Sequence, residues 1–170
     1  MTTSTETKEK LHATRNNLPE SARAQIATLL NRRLADAIDL QMQCKQAHWN
    51  VKGPSFIALH ELFDQVYEGV EEYVDLLAER VVQLGGIAEG TVRSAADNSE
   101  LDEYSLTISA GVDHVKNLSA ALAAFGTRIR FAIGECDELE DADSADICTG
   151  ISRGIDKWLW FVEAHGQAKT

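Results

Sequence analysis

Proline is nearly absent from these 170 residues: Pro19 and Pro54 are the only two, so long stretches carry nothing that would interrupt a helix. Cysteine is scarce as well. Cys44, Cys136 and Cys148 are odd in number, far apart in sequence and form no CxxC pair. That pattern argues against a disulfide framework or a structural zinc site and suits the reducing cytoplasm, where the chain is expected to reside. No apolar run approaches the roughly 20 residues needed to cross a bilayer. The first ten residues, MTTSTETKEK, hold no apolar stretch of the targeting kind. Basic charge is also short, with 16 Lys and Arg against 27 Asp and Glu, a net charge of −11. A chain so acidic is a poor general binder of phosphate backbones and suits a protein that gathers cations.

What is abundant is Ala, Leu, Asp and Glu, which favours an all-α chain, long enough to bury one full core. Residues 1–18 are polar and unpatterned and read as a flexible tail, with a single domain over 19–166. Leu18-Pro19-Glu20-Ser21 reads as a helix start. The first helix is expected from about Pro19 to Asn50, with Leu30, Leu34, Ala37, Cys44 and His48 on one stripe. Gly53-Pro54 stops it, and Ser55 is placed to cap a second helix from about Phe56 to Leu84, ended by Gly85-Gly86. Residues 87–103 form a long connection that can hold a short helix over Val92–Asp97. A third helix, about Tyr104 to Gly134, shows a stripe of Ile108, Val112, Val115, Leu118, Leu122, Phe125, Ile129 and Ala132. Seven acids and no base follow in 135–146, expected as a loop. A fourth helix, about Ser144 to Ala164, buries Ile147, Ile151, Ile155, Trp158, Leu159 and Val162. Four long helices with a long second-to-third connection read as a ferritin-like four-helix bundle with a crossover.

The second helix carries the chemistry. His60/Asp64 and Asp75/Glu79 are each four apart, so each pair shares a helix face. Asp75 lies eleven residues beyond Asp64, about three turns, so the second pair repeats the azimuth of the first about 16 Å further along. Two such pairs are too far apart for one ion and call for a second copy of the helix. If that copy runs antiparallel across a two-fold axis, His60 and Asp64 face the partner subunit's Asp75 and Glu79, making two equal metal sites per dimer. His48, twelve residues before His60 on the first helix, is the natural fifth ligand. The bland reading of a single His/Asp pair is a solvated surface contact; the repeat and His48 outweigh it. His60-Glu61-Leu62-Phe63-Asp64 also looks like a zinc-hydrolase HExxH helix without its second His, which the remaining ligands fit badly. An intrachain di-iron site would need E-x-x-H pairs, and the only one is Glu9–His12 in the tail.

His48-Trp49-Asn50-Val51-Lys52-Gly53, Leu59 to Asp64, and Asp75 to Arg80 with Leu84-Gly85 resemble the signature segments of the Dps family, the mini-ferritins named as DNA-binding proteins from starved cells. Asp156 to Glu163 resembles the family's last helix, so the likeness runs from Leu18 to His165. It implies a cytoplasmic homo-oligomer, a hollow shell of twelve subunits with a ferroxidase centre at each two-fold interface. His48, His60 and Asp64 would come from one subunit and Asp75 and Glu79 from its partner, with iron as the metal. Trp49 resembles the family tryptophan beside the iron. The implied chemistry is Fe2+ oxidation by hydrogen peroxide, O2 or both, with ferric mineral stored and oxidative stress relieved. Imidazole and carboxylate suit Fe2+, and carboxylate suits the harder ferric product.

The resemblance also implies a negative pore for Fe2+ near the start of the last helix, with Asp137, Asp141, Asp143 and Asp146 as candidates. The bland alternative is a solvated loop that favours the next helix N-terminus. The family's name is where the chain departs. DNA-condensing members use a basic tail, whereas here Lys8, Lys10 and Arg15 are matched by Glu6, Glu9 and Glu20, and only Lys169 follows Gly166. DNA binding is therefore not expected, and a nucleoid-compacting protein with secondary metal chemistry is the alternative. His12, His114 and His165 are expected at the surface, Trp158 and Trp160 in packing, and Cys44 in the core.

Overall fold

A computed structural model describes residues 11–167. Among them are five helices: α1 (Glu20–Asn50), α2 (Phe56–Gln83), α3 (Val92–Asn98), α4 (Gly111–Glu138) and α5 (Ala142–Gln167). α1 and α2 form one hairpin and α4 and α5 another, joined by a crossover that carries the short α3. The apolar stripes meet in one core, where Leu30, Leu34, Phe63, Leu77, Leu118, Leu122, Phe125, Ile129 and Ile151 are fully buried. All-α architecture and the crossover agree with the sequence pattern, and no described helix is long and apolar enough to span a membrane.

A polar clasp ties the crossover to the bundle. The buried Asp36 accepts from the Glu100 amide at 2.7 Å, and Arg33 reaches Glu100 at 2.9 Å. Arg128 of α4 donates to the same carboxylate at 3.1 Å. Thr91 caps α3 by accepting from the Ser94 amide at 3.2 Å. Ser55 makes no such bond at the start of α2.

α4 starts at Gly111, seven residues after the expected Tyr104, because residues 109–111 pair with Lys52 of the α1–α2 turn instead. The Lys52 amide donates to Ser109 O at 2.8 Å, and the Gly111 amide donates back to Lys52 O at 3.1 Å. The inner stripe of α4 accordingly begins at Val115, while Val112 is exposed and Ile108 lies outside the helix. His114, expected at the surface, is buried; Tyr104 Oη lies 2.8 Å from its Nδ1.

The acidic segment is mostly helical. α4 runs through Glu138 and α5 begins at Ala142, leaving a three-residue turn in which Glu140 has a φ of 59°. Trp158 is buried, but Trp160, expected in packing, is exposed. Of the expected tail, residues 1–10 lie outside the described residues. Residues 11–18 form no regular element, yet the His12 amide donates to Gly85 O at 2.7 Å, and Arg23 donates to Leu18 O and Leu84 O.

Candidate metal centre

Where α1 ends and α2 begins, two histidines face each other across the hairpin. The rings of His48 and His60 stack with centroids 3.6 Å apart. His48 Nδ1 lies 2.7 Å from the main-chain oxygen of His60, and His60 Nδ1 lies 2.9 Å from that of His48. A carbonyl oxygen can only accept, so each Nδ1 carries the proton. Each Nε2 is thereby left with its lone pair free, the state in which imidazole binds a metal. Phe56 leans over His60 at 5.2 Å. Both rings are half-buried and line an open cleft of about 490 Å³ together with Asp64, Ile57, Glu61, Gln65 and Glu68.

Asp64 lies one turn beyond His60, and its Oδ1 is 4.0 Å from His48 Nδ1. In the chain by itself the carboxylate is turned to Lys45, whose ammonium is bonded to it and lies 4.3 Å from the centre of the Tyr67 ring. That bond, with the charge of Lys45 adding to it, holds the Asp64 carboxyl below the usual carboxylate range. Lys45 escaped the sequence reading, although its position three residues before His48 on α1 is a signal that it shares the ligand's face. Imidazole and carboxylate are donor types that suit a divalent transition ion.

The other two expected ligands, Asp75 and Glu79, are elsewhere. They are exposed on the same helix, three turns along, and do not approach His48, His60 or Asp64 of their own chain. Among the described residues, no group of three or more His, Cys, Asp or Glu side chains converges as a complete metal site. Trp49, next to His48, is 62% exposed.

The four acids proposed for a pore fall into two sets. Asp137, Asp143 and Asp146 are exposed. Asp141 is buried and has a different part to play: it accepts from Arg80 at 2.8 Å and from the Ser144 amide at 3.2 Å, capping α5. Burial pushes its carboxyl up, but the bonds from Ser144 and Arg80 outweigh this and hold it below the usual range. Its place is in the bundle's structure rather than on an acidic surface.

The chain matches the family model for a ferritin-like domain over residues 27–168. It is 44% identical over 161 residues to the DNA protection during starvation protein of Agrobacterium fabrum, covering 95% of this chain and 99% of that one. It superposes on DpsA14 from Streptomyces coelicolor with a TM-score of 0.87 at 30% identity, covering 93% of this chain and 94% of that one. It likewise superposes on Dps from Microbacterium arborescens in its high iron form, with a TM-score of 0.82 at 32% identity, covering 92% of this chain and all of that one. The crossover bundle, the paired imidazoles at the hairpin and these likenesses over nearly the full length agree: the chain belongs to the ferritin-like proteins and, within them, to the Dps family.

Proposed function

We propose that this protein is a ferroxidase that oxidises Fe2+ at centres shared between two copies and stores the ferric product inside a closed shell of twelve. The reciprocal imidazole–carbonyl bonds of His48 and His60 are the observation that carries this reading. They fix the orientation of both rings and leave both Nε2 atoms free before any ion arrives, which lowers the ordering cost of binding. A second copy related by a two-fold axis would bring the partner subunit's Asp75 and Glu79 to the open side, completing a set of two imidazoles and three carboxylates. Their exposure in the single chain supports that arrangement.

Fe2+ is the substrate. Two ferrous ions at one centre supply two electrons to one peroxide; with two protons the O–O bond breaks and two waters leave, so no hydroxyl radical is released. Lys45 holds the Asp64 carboxylate charged and in place until a cation displaces the ammonium. Trp49, beside His48, is the redox-capable side chain next to the centre.

The test is ferrous oxidation, followed optically with peroxide and separately with O2, alongside sizing of the assembly. His60→Ala or Asp64→Ala should slow oxidation by at least about tenfold, the scale on which metal affinity responds to altered ligation, while the shell stays assembled. His48 should keep its orientation in His60→Ala, because its hydrogen bond is to the main chain. Wild-type rates in both variants would overturn the reading, as would a monomer with full activity.

One observation favours the second reading, in which the protein compacts DNA: the Agrobacterium relative is named for DNA protection. Against it stands the net charge of −11 per chain. Phosphate contacts dominate such affinity and weaken steeply with salt. Mobility-shift assays at pH 7–8 should show binding at low salt at most, and a salt-resistant complex would make the DNA reading primary.

A further inference from the structure

One buried histidine stands apart from the metal centre. His114, in the first turn of α4, is only 1% exposed, and Tyr104 Oη lies 2.8 Å from its Nδ1. The two rings stack with centroids 6.0 Å apart, and the ring of Phe63 on α2 lies 6.5 Å from the imidazole. His114 Nε2 is buried and makes no hydrogen bond. Tyr104 opens a strap, residues 104–110, which forms no helix and leads into α4. The far end of the strap is bonded to the α1–α2 turn. The Lys52 amide donates to Ser109 O at 2.8 Å, and the Gly111 amide donates to Lys52 O at 3.1 Å. The fit there is close, since a Cβ on Gly111 would stand 2.7 Å from Leu59 Cδ1. Lys52 follows His48 by four residues and Leu59 directly precedes His60, so the strap is fastened to the hairpin that presents both imidazoles.

We propose that His114 and Tyr104 form an acid-released latch: neutral His114 holds the strap against the α1–α2 hairpin, and its protonation lets strap and hairpin separate. Tyr104 Oη can donate or accept, so either neutral tautomer of His114 keeps the bond at Nδ1. The imidazolium has two N–H groups. Nδ1 can still donate to Oη, but Nε2 becomes a charged donor buried without an acceptor, which is costly. Moving the ring into water removes that cost, and the bond to Tyr104 goes with it.

The surroundings of the ring set the direction. Asp113, beside His114 on α4, and the main chain at Asn50 and Ile108 favour the charged form, but burial outweighs them and holds the imidazole below its ordinary value. Tyr104 is the titratable neighbour on the crossover; burial, with Cys44 of α1 adding to it, pushes its hydroxyl up and keeps it protonated. Glu103 and Lys116 line the cleft beside Tyr104, and α2 presents the uncharged Phe63. With the closed-state value lowered, the latch is at full strength above the ordinary histidine value of about 6.5. It is lost as pH falls through the lower closed-state value. None of this involves a bound metal, so the latch does not rest on the ferroxidase reading.

The experiment follows hydrogen exchange in the full-length protein without added metal, from pH 7.5 to 4.5, with rates corrected for the intrinsic effect of pH. The reporters are the Lys52 and Gly111 amides, in peptides spanning 49–56 and 105–113, with a peptide over 148–158 of α5 as the core reference. Protection of both amides should fall below about pH 6.5, by no more than about tenfold per pH unit because one proton is linked, while the α5 core holds. His114→Gln, which stays neutral and can still meet the Tyr104 hydroxyl, should keep both amides protected over the whole range. His48 and His60 are unchanged in that variant, so their titration cannot produce the difference. Tyr104→Phe should lower the protection of both amides by roughly two- to tenfold already at pH 7.5, the net worth of one hydrogen bond. The proposal is overturned if wild-type protection is flat across the range, if the α5 core falls in step with the strap, or if His114→Gln follows the wild type. It is also overturned if Tyr104→Phe matches the wild type at pH 7.5, a measurement that stands even if His114→Gln fails to fold.

Discussion

The hydroxyl of Tyr73, on α2, occupies the space that a Cβ on Gly154 of α5 would need, and Tyr73 Cζ would be 2.8 Å from it. One turn away on each helix the relationship is reversed: Trp158 of α5 lies over Gly69 of α2, with indole Cε2 and Cζ2 each 2.8 Å from the position of a Cβ. Each helix offers a glycine gap to the other's aromatic side chain, so α2 and α5 approach closely. Gly69→Ala and Gly154→Ala should both destabilise the bundle. Overpacking costs about 1–3 kcal/mol, against up to about 1 kcal/mol of helix propensity gained. Gly69→Ala should be the worse, since it meets a buried indole. Tyr73→Phe should partly relieve Gly154→Ala but not Gly69→Ala, because only the first conflict involves the hydroxyl, and Cζ stays close to the new Cβ. Urea denaturation of the double variants checks this coupling.

Lys45→Met should strengthen binding of a redox-silent divalent ion such as Zn2+. The ion then no longer has to displace an ammonium from Asp64. A partly exposed pair is worth up to about 1 kcal/mol, so the gain should be no more than about fivefold. Titration calorimetry reads it directly; unchanged or weaker binding would show that Lys45 does not compete for the carboxylate. The Asp64 carboxyl, held low by that lysine, should move up towards the ordinary carboxylate range in the variant.

The Arg80–Asp141 pair should set part of the acid limit of stability. Its carboxyl titrates below the unfolded value in the folded chain. The contribution is therefore complete above an unfolded pKa of about 4 and is lost as pH falls through the lower folded value. Asp141→Asn should flatten stability against pH in that acid window. Arg80→Met, which leaves a buried carboxylate without its cation, should cost about 3–5 kcal/mol near neutral pH. Denaturation midpoints from pH 2 to 7 test both. An acid limb in Asp141→Asn that matches the wild type would assign it to other carboxylates.

Replacing Asp137, Asp143 and Asp146 together with Asn should slow iron uptake at low salt while leaving oxidation at the centre intact. The effect should shrink as salt rises, since exposed charges are screened over about 8–10 Å at physiological ionic strength. Asp141 is left out of the set because it is buried and its loss would disturb α5. Equal uptake by both proteins at low salt would make the three acids ordinary solvated side chains.

Local pattern was enough for much of this molecule. The 3.6-residue apolar stripes, two prolines and paired glycines marked α1, α2, α3 and α5 to within a few residues, because burying one face dictates that repeat. The spacing of His60, Asp64, Asp75 and Glu79 is equally a property of the helix alone, and so is the conclusion that both pairs point the same way. Contacts between residues distant in sequence were beyond such reasoning. The start of α4 at Gly111 depends on Lys52, and the burial of His114 on Tyr104. Asp141 reads as one acid in a run of seven until Arg80, 61 residues earlier, is found against it. The mutual bonding of His48 and His60 and the hold of Lys45 on Asp64 both cross between helices. A helical period determines which face a side chain is on; which side chain meets it from the next helix is decided by how whole helices pack.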